Sequence, residues 1–343
     1  MLRQQDELRT LYLPFYEDLP SWRFRTVAGI RQRRQKRGLR EALSRRGPLR
    51  LVDYRRVWRR LGRRGFLEFM LQEQAAFRPN LILTEIPGAG LIKPEDVKAL
   101  RRKAPGALWV NWNGDYQDFA LLAPEDIEIA SLFDLQLAAA YDNVEDYGKR
   151  GVRSRYWQIG WETDGVGQAP HFLTPRHDLL FLASKMPFYP ARQELVARLR
   201  GLPIKFGLYG RLWPGGWARG NCLYDFKQGC RLMRAASLIL ADNPRPRARG
   251  YVSNRLFQSL AAGGAPVLMQ YFHDYESLGL KDGEHLVIWR DFGDLKAKIA
   301  HWLKPEQAGA RRTLAAAGQR LCLKRHSFEI RVQELLGFLA EIA

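Results

Sequence analysis

The sequence predicts an α/β protein of two successive Rossmann-like domains, each built on a parallel, doubly wound sheet. Three observations carry that expectation. Short apolar runs alternate with stretches of helical periodicity along nearly the whole chain, the rhythm of strand–helix–strand units. The length, 343 residues, is generous for one domain and comfortable for two, each able to bury its own core. Between Glu162 and Asp178 the rhythm breaks into ETDGVGQAPHFLTPRHD, rich in Gly, Pro and polar residues, which marks a hinge between two series.

The first series opens with LRTLYLPFY (8–16) as a strand and a basic helix near 26–45. LRLVDY (49–54) is a second strand, followed by a long helix over 55–77. LILTEI (81–86) is a third. The helix after it starts at Pro94, which suits a first turn, with Glu95 and Asp96 complementing the helix dipole. ALWVNW (107–112), DLQLAAA (134–140), a short helix at 143–150 and RYWQIGW (155–161) complete it. The second series has strands at 178–184, 203–210, 237–242, 266–270 and 285–289, with helices at 190–200, 225–236, 254–262 and 292–303. A last helix covers about 327–342. The expected division is 1–165, 166–325 and a terminal helical segment, 326–343.

Composition excludes several classes. A hydrophobic fraction of 46% with ten Trp is not that of a disordered chain. No run of about 18 apolar residues is present to span a membrane, and MLRQQDELRTLYL lacks the layout of a secretory signal. Cys222, Cys230 and Cys322 form no Cys-x-x-Cys pair, so they read as buried thiols in a reducing, cytoplasmic setting. No Asp-x-Asp motif or His cluster calls for a catalytic metal.

The net charge is +19, and its location matters more than its size. Residues 21–64 hold 17 Lys and Arg against two acids, Glu41 and Asp53, so 17 − 2 = +15 lies in that short stretch. Val27, Ile30, Leu39 and Leu43, then Val57, Trp58 and Leu61, recur among these charges at helical spacing, giving basic amphipathic helices. An arginine-rich solvated surface would spread the bias over both halves. Its concentration in one points instead to a polyanionic partner.

The stretch 250–269, GYVSNRLFQSLAAGGAPVLM, is a polar turn, a short helix, a Gly-Gly break and a strand. A helix entered from a strand and loop aims its unbonded N–H groups at the crevice above the sheet. Asn254 and Arg255 at that end make a seat for a phosphate or diphosphate. Ligands of open parallel sheets bind beyond the carboxyl ends of the strands. That rim gathers Ser184 and Lys185, Arg211, Asp242 and Asn243, with Asn254, Arg255 and Gln258.

SNRLFQSLAAGGAPVL resembles the nucleotide-binding segment of group 1 glycosyltransferases, most closely the spore-maturation CgeB-like branch. LYGRLWPGG (208–216), YDFKQGCRLMRAASLIL (224–240), HLVIWRDFGDLKAKIAHWL (285–303) and RHSFEIRVQELLGFL (325–339) follow in that family's order. The resemblance covers the chain from Asp178 onward well and the first half only loosely. It implies a GT-B fold, two Rossmann-like domains with parallel sheets facing across a cleft. It also implies a nucleotide-sugar donor, UDP-linked, held by the second domain with no further cofactor, and a last helix that crosses back to brace the first. Arg211 and Arg255 become the diphosphate partners, since fixed cations stabilise a departing diphosphate. Gln258 stands where the family has a glutamate for the ribose, and Gly250 where the wider group has an earlier acid, so the motif is weakened at both ends.

The first domain is then expected to hold the acceptor and the general base. Asp115, in WNGDYQDF, matches the acid of the family's N-T-D-D-like stretch and is the first candidate, with Glu85 and Asp118 behind it. Acceptor contacts are expected from Arg33, Arg34, Arg55 and Arg59, with Trp58, Trp112 and Tyr116 as stacking surfaces. Three readings follow. One is transfer to a hydroxyl of a polyanion, hydroxymethylated duplex DNA leading, with the target base flipped out. A second places the acceptor, a lipid-linked or cell-surface saccharide, at an anionic membrane touched by Trp22, Phe24, Trp58, Phe66 and Phe69. The third is a non-catalytic nucleic-acid-binding protein on a GT-B frame. No protein partner is implied.

Overall fold

The computed structural model describes residues 7–14, 36–163, 165–168, 170–222 and 225–342. The chain divides into two compact units. The first comprises 1–32, 39–159 and 329–343, and the second 33–38 and 160–328.

In the first unit six strands form one parallel sheet in the order β2-β1-β3-β4-β5-β6. They are β1 (Thr10–Leu13), β2 (Leu49–Leu51), β3 (Leu81–Thr84), β4 (Leu108–Asn113), β5 (Leu135–Ala138) and β6 (Ser154–Tyr156). β1, β3 and β5 are buried along their whole length, as strands covered on both faces must be. Helices α1 (Arg37–Ser44), α2 (Tyr54–Phe77), α3 (Pro94–Lys103), α4 (Pro124–Ser131) and α5 (Tyr141–Gly148) connect them. Asp53 starts α2 by accepting the N–H of Arg56 at 3.0 Å. Gly62, at φ 68°, kinks it. Past the kink, Phe66 and Met70 enter the core beneath the sheet with Leu11, Ile82 and Trp109, each worth about 1.5–3 kcal/mol of burial.

Two helical starts share the tripeptide Pro-Glu-Asp. Asp96 accepts the backbone N–H of Lys93 and Asp126 that of Ala123, both at 2.9 Å. The second of these, α4, breaks no strand in the sequence reading and was not expected there.

The second unit holds five parallel strands in the order β11-β10-β9-β7-β8. These are β7 (His177–Leu182), β8 (Phe206–Tyr209), β9 (Ala236–Ala241), β10 (Val267–Gln270) and β11 (Val287–Trp289). Its helices are α6 (Pro190–Arg200), α7 (Phe226–Arg234), α8 (Asn254–Ala262), α9 (Phe292–Leu303) and α10 (Ala308–Arg325). α8 is buried from Leu256 to Ala262 between α7 and α10. It ends at Gly263 in the left-handed region, φ 65°, where a glycine avoids the cost of a Cβ, and Arg234 Nε donates to the carbonyl of Ala262 at 2.9 Å. The unexpected α10 carries basic residues on an alanine-rich body, with no clean apolar stripe to announce it.

The last helix, α11 (Phe328–Ile342), belongs from Glu329 on to the first unit. Val332, Leu335 and Leu339 are buried, and Trp157 Nε1 donates to the carbonyl of Arg331 at 2.7 Å. Arg45 and Arg46 both pair with Glu329.

The sequence reading placed a longer first strand, 8–16, and a sixth strand over 155–161. The ladder runs to Leu13 and to Tyr156, and residues 15 and 16 lie outside the described residues. Of the basic helix expected near 26–45 only Arg37–Ser44 falls among the described helical residues. Arg33 and Arg34, like Trp22 and Phe24, lie outside the described residues. No helix among the described residues is long and apolar enough to cross a membrane.

Candidate active site

Numbered within its own unit, each sheet has the order 2-1-3-4-5, extended by one strand in the first. The chain winds one way from the first strand and then returns to its other side, so the crevice lies between β1 and β3 in one unit and between β7 and β9 in the other.

In the second unit that crevice is built from the loops after β7 and β9. Asp242 follows β9 and is fully buried. It accepts Arg192 Nε at 2.6 Å and Nη2 at 3.0 Å, and Arg255 Nη1 at 3.0 Å. The Arg192 side chain is 2% exposed and that of Arg255 17%. Burial draws the Arg255 guanidinium down to about 10 while Asp242 opposes the shift, so it stays cationic at neutral pH. Arg192 Nη1 also donates to the carbonyl of Ser184 at 3.0 Å.

Ser184 Oγ accepts the N–H of Arg211, and the N–H of Lys185 donates to the carbonyl of Arg211, both at 3.0 Å. The two loops approach this closely because a glycine, Gly210, stands just before Arg211. A Cβ there would strike the carbonyl of Ala183. Tyr189 donates to the carbonyl of Asn243 at 3.2 Å and to Gln270 at 3.3 Å, and burial pushes its hydroxyl up to about 12. Asn243 is itself buried and donates to the carbonyl of Tyr251 at 2.7 Å.

Asn254, Arg255 and Gln258 line a small pocket of about 70 Å³ with Leu182, Cys222 and Met233. Ser253, at the N-cap of α8, makes no side-chain cap bond, which leaves the first N–H groups of the helix to other acceptors. Six expected donor residues are thus gathered in one unit, three lining the pocket and three joined to it through Arg192 and Asp242. Gln258 is held differently from a ribose ligand. Its Oε1 accepts the N–H of Glu162 at 2.9 Å, and its Nε2 lies 3.4 Å from the carbonyl of Glu162 and 3.6 Å from Cys230 Sγ.

In the first unit, Glu85 follows β3 at the β1–β3 crevice. It is buried, Tyr12 donates its hydroxyl to Oε1, and Tyr54 donates to its carbonyl at 3.3 Å. Burial raises the Tyr54 hydroxyl well above its ordinary value. Asn111 braces the adjoining strand ends, accepting Thr84 Oγ1 at 2.7 Å and the N–H of Ile86 at 2.8 Å. Arg55 lines a cavity of about 320 Å³ with Tyr54, Ile86, Leu91, Ile92 and Asp126. Asp115 is exposed in the loop after β4. Asp118 is half-buried and shapes a turn, accepting the N–H of Ala120 at 3.2 Å.

The aromatic expectations need correction. Trp112 is a core residue, its ring 4.7 Å from that of Trp157 in an edge-on pair, so it cannot receive a base. Phe66 is wholly buried, and Trp58 and Phe69 pack partly buried against the same core, so they offer a membrane little. Arg59 is exposed on α2 and Tyr116 half-buried beside Asp115.

Sequence reading missed Arg192 and Tyr189. Their signal was a proline-led helix start, Tyr-Pro-Ala-Arg, directly after the strand whose end forms the crevice.

A family model described as "Glycosyl transferase-like" matches residues 192–337. No curated protein matches the chain in sequence. Among solved structures, the Anabaena HepE protein in complex with UDP and glucose superposes with a TM-score of 0.60 at 13% identity, over 97% of this chain and 100% of that one. A glycosyltransferase from Rickettsia africae gives 0.61 at 9% identity, covering 98% and 99%. Sucrose-phosphate synthase from Thermosynechococcus elongatus gives 0.55 at 14%, covering 87% and 82%. The chain thus shares the GT-B architecture of these structures, two units each on a parallel sheet, and its residues 192–337 are similar to the glycosyl transferase-like family.

Proposed function

We propose that the protein moves a sugar from a UDP-linked donor to a hydroxyl of an anionic acceptor. Arg255 carries the donor half of the reading. It is a cation held by a buried carboxylate at the start of α8, lining a pocket at the sheet's switch point. A diphosphate leaving group needs that combination of a guanidinium and free helix N–H groups. The choice of uridine draws support from HepE, whose structures hold UDP and UDP-glucose.

For the acceptor, the reading rests on the exposed arginines of α2, Arg56, Arg59 and Arg60. Hydroxymethylated duplex DNA is the leading candidate, since such a row neutralises phosphates without regard to sequence. With Trp112 in the core and Trp58 packed against it, Tyr116 is the expected aromatic surface left for a flipped base. A saccharide at an anionic membrane is the second reading, favoured by Leu61, which is 45% exposed among those arginines. Asp115 is the proposed base and Glu85 its alternative.

The test is transfer from a panel of labelled sugar nucleotides to hydroxymethylated DNA and to saccharide-bearing anionic liposomes at equal salt. Label on DNA supports the first acceptor, and label on liposomes alone replaces it with the second. Neither transfer nor donor hydrolysis with any sugar nucleotide would leave a binding protein on this frame.

A further inference from the structure

We propose that Arg192 is a positioning residue for the donor diphosphate, the sealed partner of Asp242 that lets Arg255 leave that carboxylate for a phosphate. The inference rests on the donor reading above and adds a division of labour between two arginines on one carboxylate.

The two are held unequally. Arg192 grips Asp242 with two nitrogens, at 2.6 and 3.0 Å, and is fixed again by the Ser184 carbonyl at 3.0 Å and by the Tyr189 ring 5.2 Å beneath it. Arg255 gives Asp242 one nitrogen, at 3.0 Å, and its side chain alone of the pair reaches the pocket. Of its five N–H donors Arg255 gives only one to Asp242, so a single bond has to be exchanged when a phosphate recruits it.

A buried carboxylate stripped of its partner is costly. Were Arg255 the only partner, a phosphate could recruit it only by stranding Asp242. With Arg192 in place Asp242 stays compensated, and Arg255 can turn to the incoming anion. Removing Arg192 alone makes Asp242 a competitor of the phosphate. Removing the charge of Asp242 as well ends that competition. A merely structural Arg192 would give no such rescue.

The experiment measures binding of UDP, UMP and inorganic pyrophosphate by calorimetry to wild type, Arg192→Gln, Asp242→Asn and the double variant, with thermal melting of each. Arg192→Gln is expected to raise the Kd for UDP and pyrophosphate about tenfold or more and that for UMP less, with the double variant returning to within about threefold of wild type. A folded Arg192→Gln that binds UDP like wild type overturns the proposal, as does a folded double variant no better than the single. If Arg192→Gln melts too low to assay, Arg192→Lys takes its place. It keeps the charge that compensates Asp242, so a Kd for UDP within about threefold of wild type is expected, and a rise of about tenfold there overturns the proposal. Wild type binding pyrophosphate but not UDP would sink the nucleotide reading and leave this one standing. Binding of neither would sink both.

Discussion

Gln258 Oε1 accepts the backbone N–H of Glu162 at 2.9 Å, tying α8 to a residue 96 positions earlier, while its Nε2 faces the carbonyl of the same residue. The side chain therefore acts as acceptor and donor on the two backbone groups of one residue, inside the second unit. A carboxylate could only accept. This gives a physical reason for an amide at this position in this chain.

Gln258→Glu is accordingly expected to destabilise the second unit by about 1–3 kcal/mol, the cost of a buried polar group left facing an acceptor. Burial would raise the folded pKa of the new carboxyl, so the folded state binds the extra proton. Stability is then best below the unfolded value near 4.3 and falls as pH rises through the folded one. Urea denaturation at pH 5 and pH 8 checks this, and equal stability to wild type at both would refute it.

Arg255→Ala removes the less buried arginine of the pair and leaves Asp242 its two bonds to Arg192. The fold should survive, with melting close to wild type. Transfer should fall about 10²–10³-fold, the usual effect of deleting one group that stabilises developing negative charge. Steady-state kinetics with melting curves tests the pair. A variant that loses stability but keeps its rate would contradict it.

Asp115→Asn is expected to lower kcat about 10²–10⁴-fold without changing the melting temperature, because Asp115 is exposed and the loss is that of a general base. Glu85→Gln should show the reverse weighting, since Glu85 is buried and accepts the Tyr12 hydroxyl. If Glu85→Gln abolishes turnover at unchanged stability while Asp115→Asn is silent, the base is Glu85.

His177 starts β7 with its Nε2 3.3 Å from the Tyr209 hydroxyl. Burial, with Arg219 and Arg176 adding to it, lowers its pKa below the ordinary 6.5. The unfolded chain thus takes up a proton first as pH falls. The contribution of the neutral ring is present above about 6.5 and is lost as pH drops through the depressed folded value. His177→Gln should flatten the acid side of the stability profile, measured by melting from pH 7.5 to pH 5. A profile as steep as wild type would argue otherwise.

The two series of parallel strands were legible because alternation of apolar runs and helical stretches is a local signal. The ends of β7 and β9 then pointed to the crevice without coordinates. α10 was not legible, since its alanines and arginines form no apolar stripe, and α4 was passed over although Pro124-Glu125-Asp126 repeats the start at Pro94. Trp112 looked like a platform because strand ends attract ligands. Only tertiary packing reveals that its ring turns inward onto Trp157. Arg192 was hidden for the opposite reason, as a charged residue near a helix start reads as surface until its carboxylate is known.

The first unit is closed by α11, whose residues come after the entire second unit in the chain. A ribosome making this protein must therefore add residues 160–328 before the opening sheet receives its last covering helix. At roughly 5–20 residues per second that delay is about 10–30 s. Over that interval the first unit lacks the helix that brings Leu335 and Leu339 into its core, so its packing is completed only after residues 160–328 have been made.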